Sequence, residues 1–470
     1  MKFFLSKELT LFDDDYFIDQ TLANSIFFKS LNQVYIFTQN LFIGKLGRLN
    51  QPLNLLNYFI LGFLSICLGL PQLASDKGYF ALIIASGFVV AFLAKLLTKS
   101  ITFKFTFIDS LVLAYFLANV IATFSSAYFK ESVIGLAKLV IYIFAYFWFR
   151  LTFNSKQNLK IVIFNNLILL ATFMSMYGIY QYKTNVKALA TWEDPTSEIH
   201  QTRVFSTLGN PNLLAGFLLP IFFLSFSQCI NSLVNKRYWQ SLIYAITSGI
   251  ILLSIILTGS RGAYLCLPIC LGIGFSIAII VWARNFKLKQ IILVLALSII
   301  SFCLIVFLVL KIPYFSDRFS TIFAGRAHSS NSYRLNVWQS SVAMLKDNFI
   351  FGIGPGNKTF RLAYGLYMKS GYDALGTYCV PLEIAVESGI LGFSTFFILI
   401  IMWFLKMHIY FWQVVEQQNK IPWLVLGFVT AMLSMLVHGL VDTVFFRPQI
   451  QIIFWLIMVQ SNFLTLKKSV

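Results

Sequence analysis

Long apolar runs, separated by short polar breaks, follow one another along the chain from residue 54 onward. A helix that crosses a bilayer needs about 20 mostly apolar residues, and the runs have about that length. They lack the two-residue alternation of strands in a membrane barrel. The pattern therefore predicts an all-α, polytopic integral membrane protein with 12 transmembrane helices, at residues 54–71, 79–97, 108–126, 134–151, 159–180, 212–228, 241–259, 263–283, 290–310, 385–405, 422–441 and 449–466.

The composition strengthens this prediction. Of the 470 residues, 58% are hydrophobic and 11% are charged, whereas soluble domains carry about 25% charged residues. An ordinary soluble enzyme is therefore excluded. The six cysteines lie mostly inside apolar runs and show no paired loop spacing. We expect them to be small buried hydrophobic residues, with no disulfide framework, no metal site and no cofactor.

The basic excess, a formal net charge of +18, is explained by topology. With both termini in the cytoplasm, the short inside connections carry more than twice as many Lys and Arg residues as the short outside ones, and the loop at 181–211 is the exception. This distribution follows the positive-inside rule. The acidic start of the chain does not resemble a signal peptide. We therefore expect a multi-pass protein of the plasma (inner) membrane, inserted by its first span, that binds no nucleic acid.

The spans divide the chain into four parts. Residues 1–53 form a cytoplasmic or interfacial N-terminal segment, 54–310 hold helices 1–9, 311–384 form a large periplasmic loop, and 385–470 hold helices 10–12. The stretch 22–46 is typical of an interfacial helix, and a helix packed on the cytoplasmic face is an equally good interpretation.

The large loop carries eight basic and four acidic residues, which indicates an anionic partner. Residues 331–348 predict an amphipathic helix in which Arg334 precedes an apolar face, formed by Leu335, Trp338, Val342 and Leu345. Such a helix either serves an anion site or lies at the lipid headgroups, where Arg334 contacts lipid phosphate. Further along, the glycines of residues 352–360 expose amides that would suit an oxyanion, but a plain turn is the favoured interpretation.

Arg261, in the segment TGSRGA, is the strongest single candidate for the site. It lies in a tight turn between the seventh and eighth spans, and an unpaired charge near hydrocarbon is costly. A guanidinium fork pairs well with carboxylate, phosphate or bicarbonate oxygens. The alternative is that Arg261 reaches the lipid headgroups by snorkelling.

Polar residues at the ends of two other spans extend the candidate site. In GNPNLLAG, Asn210 and Pro211 have the pattern of a helix N-cap, and Asn212 is placed to contact a ligand or to assist the cap. In HGLVD, His438 and Asp442 are four residues apart on one predicted helix face. They form either a proton-accepting pair or a structural hydrogen bond. Two further ionisable groups, at positions 138 and 387, lie at membrane depth.

The order of the segments TGSRGA, SYRLNVW, FGIGPGN, CVPLEIAVESGILG and HGLVDTVFFRPQ resembles the O-antigen ligase-like superfamily, and within it the IctB-type bicarbonate transporters of cyanobacteria. The superfamily resemblance implies that Arg261 and Arg334 hold the diphosphate of a polyprenyl-linked glycan. Where its ligases carry a His-Asn pair, this sequence has Tyr378 and Cys379. Because a phenol is mostly protonated at neutral pH, Tyr378 is expected to hydrogen-bond an anion.

The resemblance leaves more than one function open. The first expectation is inorganic carbon uptake, with bicarbonate bound at the periplasmic face near Arg261 and Arg334. The alternative is a lipid-linked glycan ligase at that face, whose base would come from Glu383, Glu387 or the pair formed by His438 and Asp442. A non-catalytic scaffold is the third. The expected partners are the bilayer and either bicarbonate or a polyprenyl-diphosphate-linked glycan, and the catalytic residues stay unassigned.

Overall fold

The computed structural model describes residues 49–70, 78–96, 106–153, 157–187, 203–282 and 329–463, with a few isolated positions besides. These residues are helical and contain no strand, so the all-α prediction is confirmed. The α-helices of the described residues are α1 Asn50–Cys67, α2 Tyr79–Leu96, α3 Phe107–Phe124, α4 Phe129–Phe153, α5 Gln157–Lys183, α6 Pro211–Val234, α7 Tyr238–Leu257, α8 Arg261–Trp282, α9 Ser329–Asp347, α10 Asn357–Tyr364, α11 Val380–Gln418, α12 Trp423–Gly439 and α13 Pro448–Met458.

The apolar helices match the predicted spans. Eight of the described helices, α2 to α8 and α11, are long and apolar enough to cross a membrane, and α1, α12 and α13 are shorter apolar helices. Apart from isolated positions, the predicted span at 290–310 and the N-terminal stretch 22–46 lie outside the described residues. A polytopic membrane protein is thus confirmed, and the count of 12 spans stays a prediction.

Helix α6 lies at the centre of the bundle, between α7 and α12. Its apolar residues cover the whole circumference, and Phe217, Leu218 and Leu219 are fully buried. An all-round apolar helix is expected in such a central position. Its start is fixed locally, because the Asn210 side chain accepts hydrogen bonds from the amides of residues 212 and 213 and Pro211 takes the first helical position. The predicted cap is confirmed.

The end of the bundle where α3 meets α4 also carries α9 and α10, and we call it the loop end. A break at Gly389, with φ 62° and ψ −166°, divides α11 into a short segment and a long span. The lost helical hydrogen bonds are replaced across the break: the Ile390 amide donates to the Phe349 carbonyl (2.8 Å) and the Gly354 amide to the Glu387 carbonyl (2.9 Å). The segment that follows α9 is therefore fastened to the start of the α11 span.

Helix α9 confirms the predicted amphipathic helix but buries another face. Its fully buried residues are Val337, Ser341 and Met344, whereas Val342 of the predicted face is exposed. The face that α9 buries therefore differs from the apolar face formed by residues 335, 338, 342 and 345. The buried serines are small enough for α9 to pack closely against its neighbours α10 and α11, and Val337 and Met344 supply the apolar contacts of that face.

At the opposite end of the bundle, a buried ion pair joins α3 to α4. The Asp109 carboxylate lies 3.4 Å from the Arg150 Nε atom. It also accepts hydrogen bonds from the Tyr146 hydroxyl (2.6 Å) and the Thr106 amide (2.7 Å). These hydrogen bonds satisfy a carboxylate that is fully buried, as a charge in the protein interior requires.

Candidate anion-binding site

Four polar side chains from distant parts of the chain form one connected group at the loop end, which we call the polar network. The Arg203 Nη2 atom donates to Asn212 Oδ1 (2.9 Å), and the Asn212 Nδ2 atom donates to Asp442 Oδ2 (2.9 Å). The Arg334 Nη2 atom lies 3.8 Å from the same carboxylate oxygen. Asn212, Arg334 and Asp442 were predicted site residues, and the structure brings these three together.

Local structure holds each member of the network in place. The Arg203 Nε atom donates to the Thr258 carbonyl (2.9 Å), which fixes the segment before α6 to the end of α7. Asn212 follows directly after the α6 cap. Asp442 is held by a hydrogen bond from the Val444 amide to Oδ1 (3.1 Å), a turn that aspartate side chains commonly form.

The contact between Arg334 and Asp442 is loose. The separation of 3.8 Å between the Arg334 Nη2 atom and the Asp442 carboxylate oxygen exceeds the length of a good hydrogen bond. The Arg334 side chain retains 20% of its exposure and the Asp442 side chain 10%. Since charges interact more strongly in such partly buried surroundings than in bulk water, the partly exposed Arg334 guanidinium is placed to attract an anion.

Arg261 begins α8 in the chain turn next to the network, and it is partly buried. Its neighbours on both sides contact one imidazole: the Ser260 hydroxyl lies 3.4 Å from the His438 Nε2 atom, and a Cβ atom added to Gly262 would come within 3.1 Å of the His438 ring. The turn that carries Arg261 is thus packed against His438 and is tied through the Thr258 carbonyl to Arg203.

His438 and Asp442 do not share a helix face, so that prediction is wrong. Helix α12 ends at Gly439, and the chain then turns away from helical register. The contacts of His438 run to Ser260 and to the glycines of α6 and α8, whereas those of Asp442 run to the polar network. His438, only 3% exposed, has the surroundings of a buried packing residue.

Tyr378 belongs to the hydrophobic core of the loop. Its ring packs edge-on against Tyr333, with centroids 5.6 Å apart, and Tyr333 immediately precedes Arg334. Burial and the nearby Tyr378 hydroxyl raise the pKa of the Tyr333 phenol above its ordinary value. Burial likewise raises the pKa of the Cys379 thiol. The Tyr333 phenol and the Cys379 thiol are therefore protonated at neutral pH and cannot serve as a general base there.

The two glutamates proposed as alternative bases serve the loop backbone. The Glu383 carboxylate accepts a hydrogen bond from the Thr377 amide (3.0 Å), and the Glu387 carboxylate accepts one from the Gly356 amide (3.0 Å). Each carboxylate thereby fixes a segment of loop against α11. Each carboxylate is thus engaged by a backbone donor inside the protein.

The glycine-rich segment is a packing element, which agrees with the favoured interpretation of a turn. A Cβ atom at Gly354 would lie 2.3 Å from the Ser132 hydroxyl, and one at Gly135 would lie 2.0 Å from the Pro355 carbonyl. The amides of residues 352, 353, 354 and 356 all donate to protein acceptors. They are consequently not available to cradle an oxyanion.

Sequence reasoning missed Arg203 as a site residue. The available signal was the loop at 181–211, the one outside connection that departs from the positive-inside rule. A basic residue on the outside is unusual under that rule, and the hydrogen bonds of Arg203 to Asn212 and Thr258 explain its presence there. Lys138, in contrast, is an exposed residue of α4.

Comparison with known proteins supports a relationship to one family. Residues 246–397 match the family model for the C-terminal domain described as O-antigen ligase. The matched region contains Arg261 and Arg334, together with helix α9 and the broken start of α11. No curated protein sequence matches the chain. The family match supports the O-antigen ligase-like superfamily and does not distinguish the IctB-type group within it.

Proposed function

We propose that the chain is a glycan ligase of the inner membrane that takes a polyprenyl-diphosphate-linked glycan at its loop end, on the periplasmic side. The observation that carries this proposal is the polar network. In it, Arg334, which lies in the region that matches the ligase family, approaches the Asp442 carboxylate, and Asn212 links Arg203 to the same carboxylate. The positive-inside rule supports the orientation, because the loop end corresponds to the side with fewer basic connections.

In this proposal the arginines bind the diphosphate. Guanidinium forks pair with phosphate oxygens in a bidentate manner. Arg334 and Arg261 are expected to contact the diphosphate directly, and Arg203 adds charge from behind Asn212. These groups lower the energy of the transition state, because negative charge grows on the diphosphate as it leaves.

The proposed reaction is transfer of the glycan to a hydroxyl group. The acceptor oxygen forms a bond to the anomeric carbon of the first sugar, and the bond from that carbon to the diphosphate oxygen breaks. The leaving group is the polyprenyl diphosphate, and the acceptor proton passes to a base. We assign that role to Asp442, since a carboxylate also serves as general base in inverting glycoside hydrolysis and Asp442 adjoins Arg334.

Bicarbonate uptake, the first expectation from the sequence, gains no support from the family match. A guanidinium site at one end suits bicarbonate as well as phosphate. Transport, however, also needs a substrate site near the bilayer midplane and alternating access to it, and the polar network lies at one end of the bundle. The IctB-type assignment stays a prediction.

Deletion of the gene, followed by complementation, tests the ligase proposal. Cells without the protein are expected to accumulate a lipid-linked glycan precursor and to lose a surface glycan, and wild-type protein should restore both. Asp442→Asn should fail to restore them. Lys358→Ala, at an exposed position of α10, is the matched control and should complement fully. Unchanged precursor and surface profiles in the deletion strain would overturn the proposal.

A flux measurement tests transport separately. Liposomes that contain the purified protein are expected to take up labelled bicarbonate no faster than empty liposomes. Uptake above that background, abolished by Arg261→Ala, would favour transport instead.

A further inference from the structure

We propose that the segment at the end of α9, formed by Val342 and residues 349–351, inserts into the lipid headgroup region and anchors the loop to the bilayer. The segment exposes three consecutive large apolar side chains, Phe349, Ile350 and Phe351, which are 54%, 55% and 44% exposed. Val342, in α9 itself, is also exposed. We call these four residues the apolar patch.

The depth of the apolar patch is set by hydrogen bonds to the spans. The Phe349 carbonyl accepts from the amide of Ile390, the first residue of the α11 span after the break. The Ile353 carbonyl accepts from the Ser126 hydroxyl, in the turn between α3 and α4. The patch is thereby held at the level where these apolar helices reach the loop end.

Other exposed aromatic residues occur at that level. Phe124 ends α3, Phe129 begins α4, and both are exposed, with their rings 5.7 Å apart. They flank Ser126, which holds the segment of the patch. Aromatic side chains at both rims of a membrane protein commonly mark the lipid interface. The apolar patch therefore continues a lipid-facing surface, and this continuity identifies lipid as its partner.

Helix α9 lies along the end of the bundle. Near the start of α9, Arg334 approaches Asp442, which lies just beyond the end of α12. The other end of α9 leads to Phe349, whose carbonyl accepts a hydrogen bond from the Ile390 amide. Arg334 and Asp347 are about 20 Å apart at the usual helical rise, and both neighbourhoods lie where spans end. A helix held in this way runs near the membrane plane, as interfacial amphipathic helices do. Lys346, exposed between the apolar residues, is placed to reach lipid phosphate.

Large exposed apolar patches otherwise mark sites for protein partners, so the experiment must separate lipid from protein and from water. Ile350→Cys, carrying a nitroxide label, is measured in nanodiscs of phosphatidylethanolamine and phosphatidylglycerol. Collisions of the label with oxygen, which concentrates in lipid, are compared with collisions with a water-soluble nickel chelate. The matched control is Ser370→Cys, at an exposed position in a polar turn beside Lys369. The unsubstituted chain, labelled in parallel, gives the background from native cysteines.

The anchor predicts that oxygen collisions exceed nickel collisions several-fold at Ile350 and that the order reverses at Ser370. Phe351→Cys should repeat the result of Ile350→Cys, and it replaces that variant if the latter does not purify as a single species. Nickel collisions as frequent at Ile350 as at Ser370 would show that the patch faces water. Protection of Ile350 from both reagents would show that a second copy or another protein covers it. Either result overturns the proposal.

Discussion

Replacement of Gly389 by alanine should detach the loop from the start of the α11 span. The φ of 62° and ψ of −166° at this position lie in a region open almost only to glycine. A Cβ atom there would also come 2.2 Å from the Ile350 carbonyl oxygen and 2.7 Å from the Gly352 nitrogen. These neighbours are backbone atoms, so they cannot move aside by changing a rotamer.

The expected cost combines two effects. Backbone strain at such a position costs about 1–3 kcal/mol, and forcing an extra methyl group into a packed site costs about 1–3 kcal/mol. The sum is about 2–6 kcal/mol, and it acts on the local contact between the segment after α9 and the break in α11. Since 1.4 kcal/mol corresponds to a factor of ten, even the lower bound should raise local opening about 30-fold.

Hydrogen exchange followed by mass spectrometry measures that opening. The informative amides are those of Ile353, Gly354 and Ile390, which bond across the break, and their exchange should accelerate while the amides of α6 remain protected. Gly249→Ala is the matched control, because a Cβ atom at Gly249 in α7 would meet nothing within 4 Å. Equal exchange at the break in the two variants would refute the reasoning.

Three further predictions concern other parts of the structure. Asp109→Asn leaves the Arg150 guanidinium without its carboxylate and should cost about 3–5 kcal/mol, seen as a lower melting temperature in detergent; an unchanged melting temperature would contradict the buried ion pair. Because burial raises the pKa of the Cys379 thiol, less thiolate is present at a given pH, so iodoacetamide should label Cys379 more slowly at pH 8 than it labels a free thiol. Labelling of Cys379 at the rate of a free thiol would contradict the burial. Asn212→Ala removes the link between Arg203 and Asp442. It should weaken binding of a polyprenyl diphosphate about tenfold, because a hydrogen bond to a charged group contributes about 1.5 kcal/mol. Unchanged affinity in a binding titration would exclude a role for the link.

Features encoded locally could be predicted from the sequence. The spans follow from apolar length alone, and the α6 cap follows from Asn210 and Pro211, because both depend on residues close together in the chain. The prediction for HGLVD failed at the next level, since helix α12 ends at Gly439, three residues before Asp442. Glycine is a common signal for the end of a helix, and the periodic pattern was extended past it.

The polar network depends on contacts between distant residues. Asn212 and Asp442 are 230 positions apart. Arg203, which bonds to Asn212, comes from a loop that carries no recognised motif. The packed face of α9 was also beyond prediction, because small serines share it with Val337 and Met344, whereas Val342 faces outward. That choice is set by the neighbours α10 and α11 and by the membrane level, neither of which the helical period reveals.

The central claim is that the arginines of the loop end hold a lipid-borne diphosphate. Native mass spectrometry of the protein released from nanodiscs that contain a polyprenyl diphosphate tests it most directly. The account predicts that the wild-type chain retains the diphosphate lipid, that Arg334→Gln loses most of it, and that Lys358→Gln retains it like the wild type. Equal retention by the Arg334 variant and the wild type, or no retention by either, would contradict the claim.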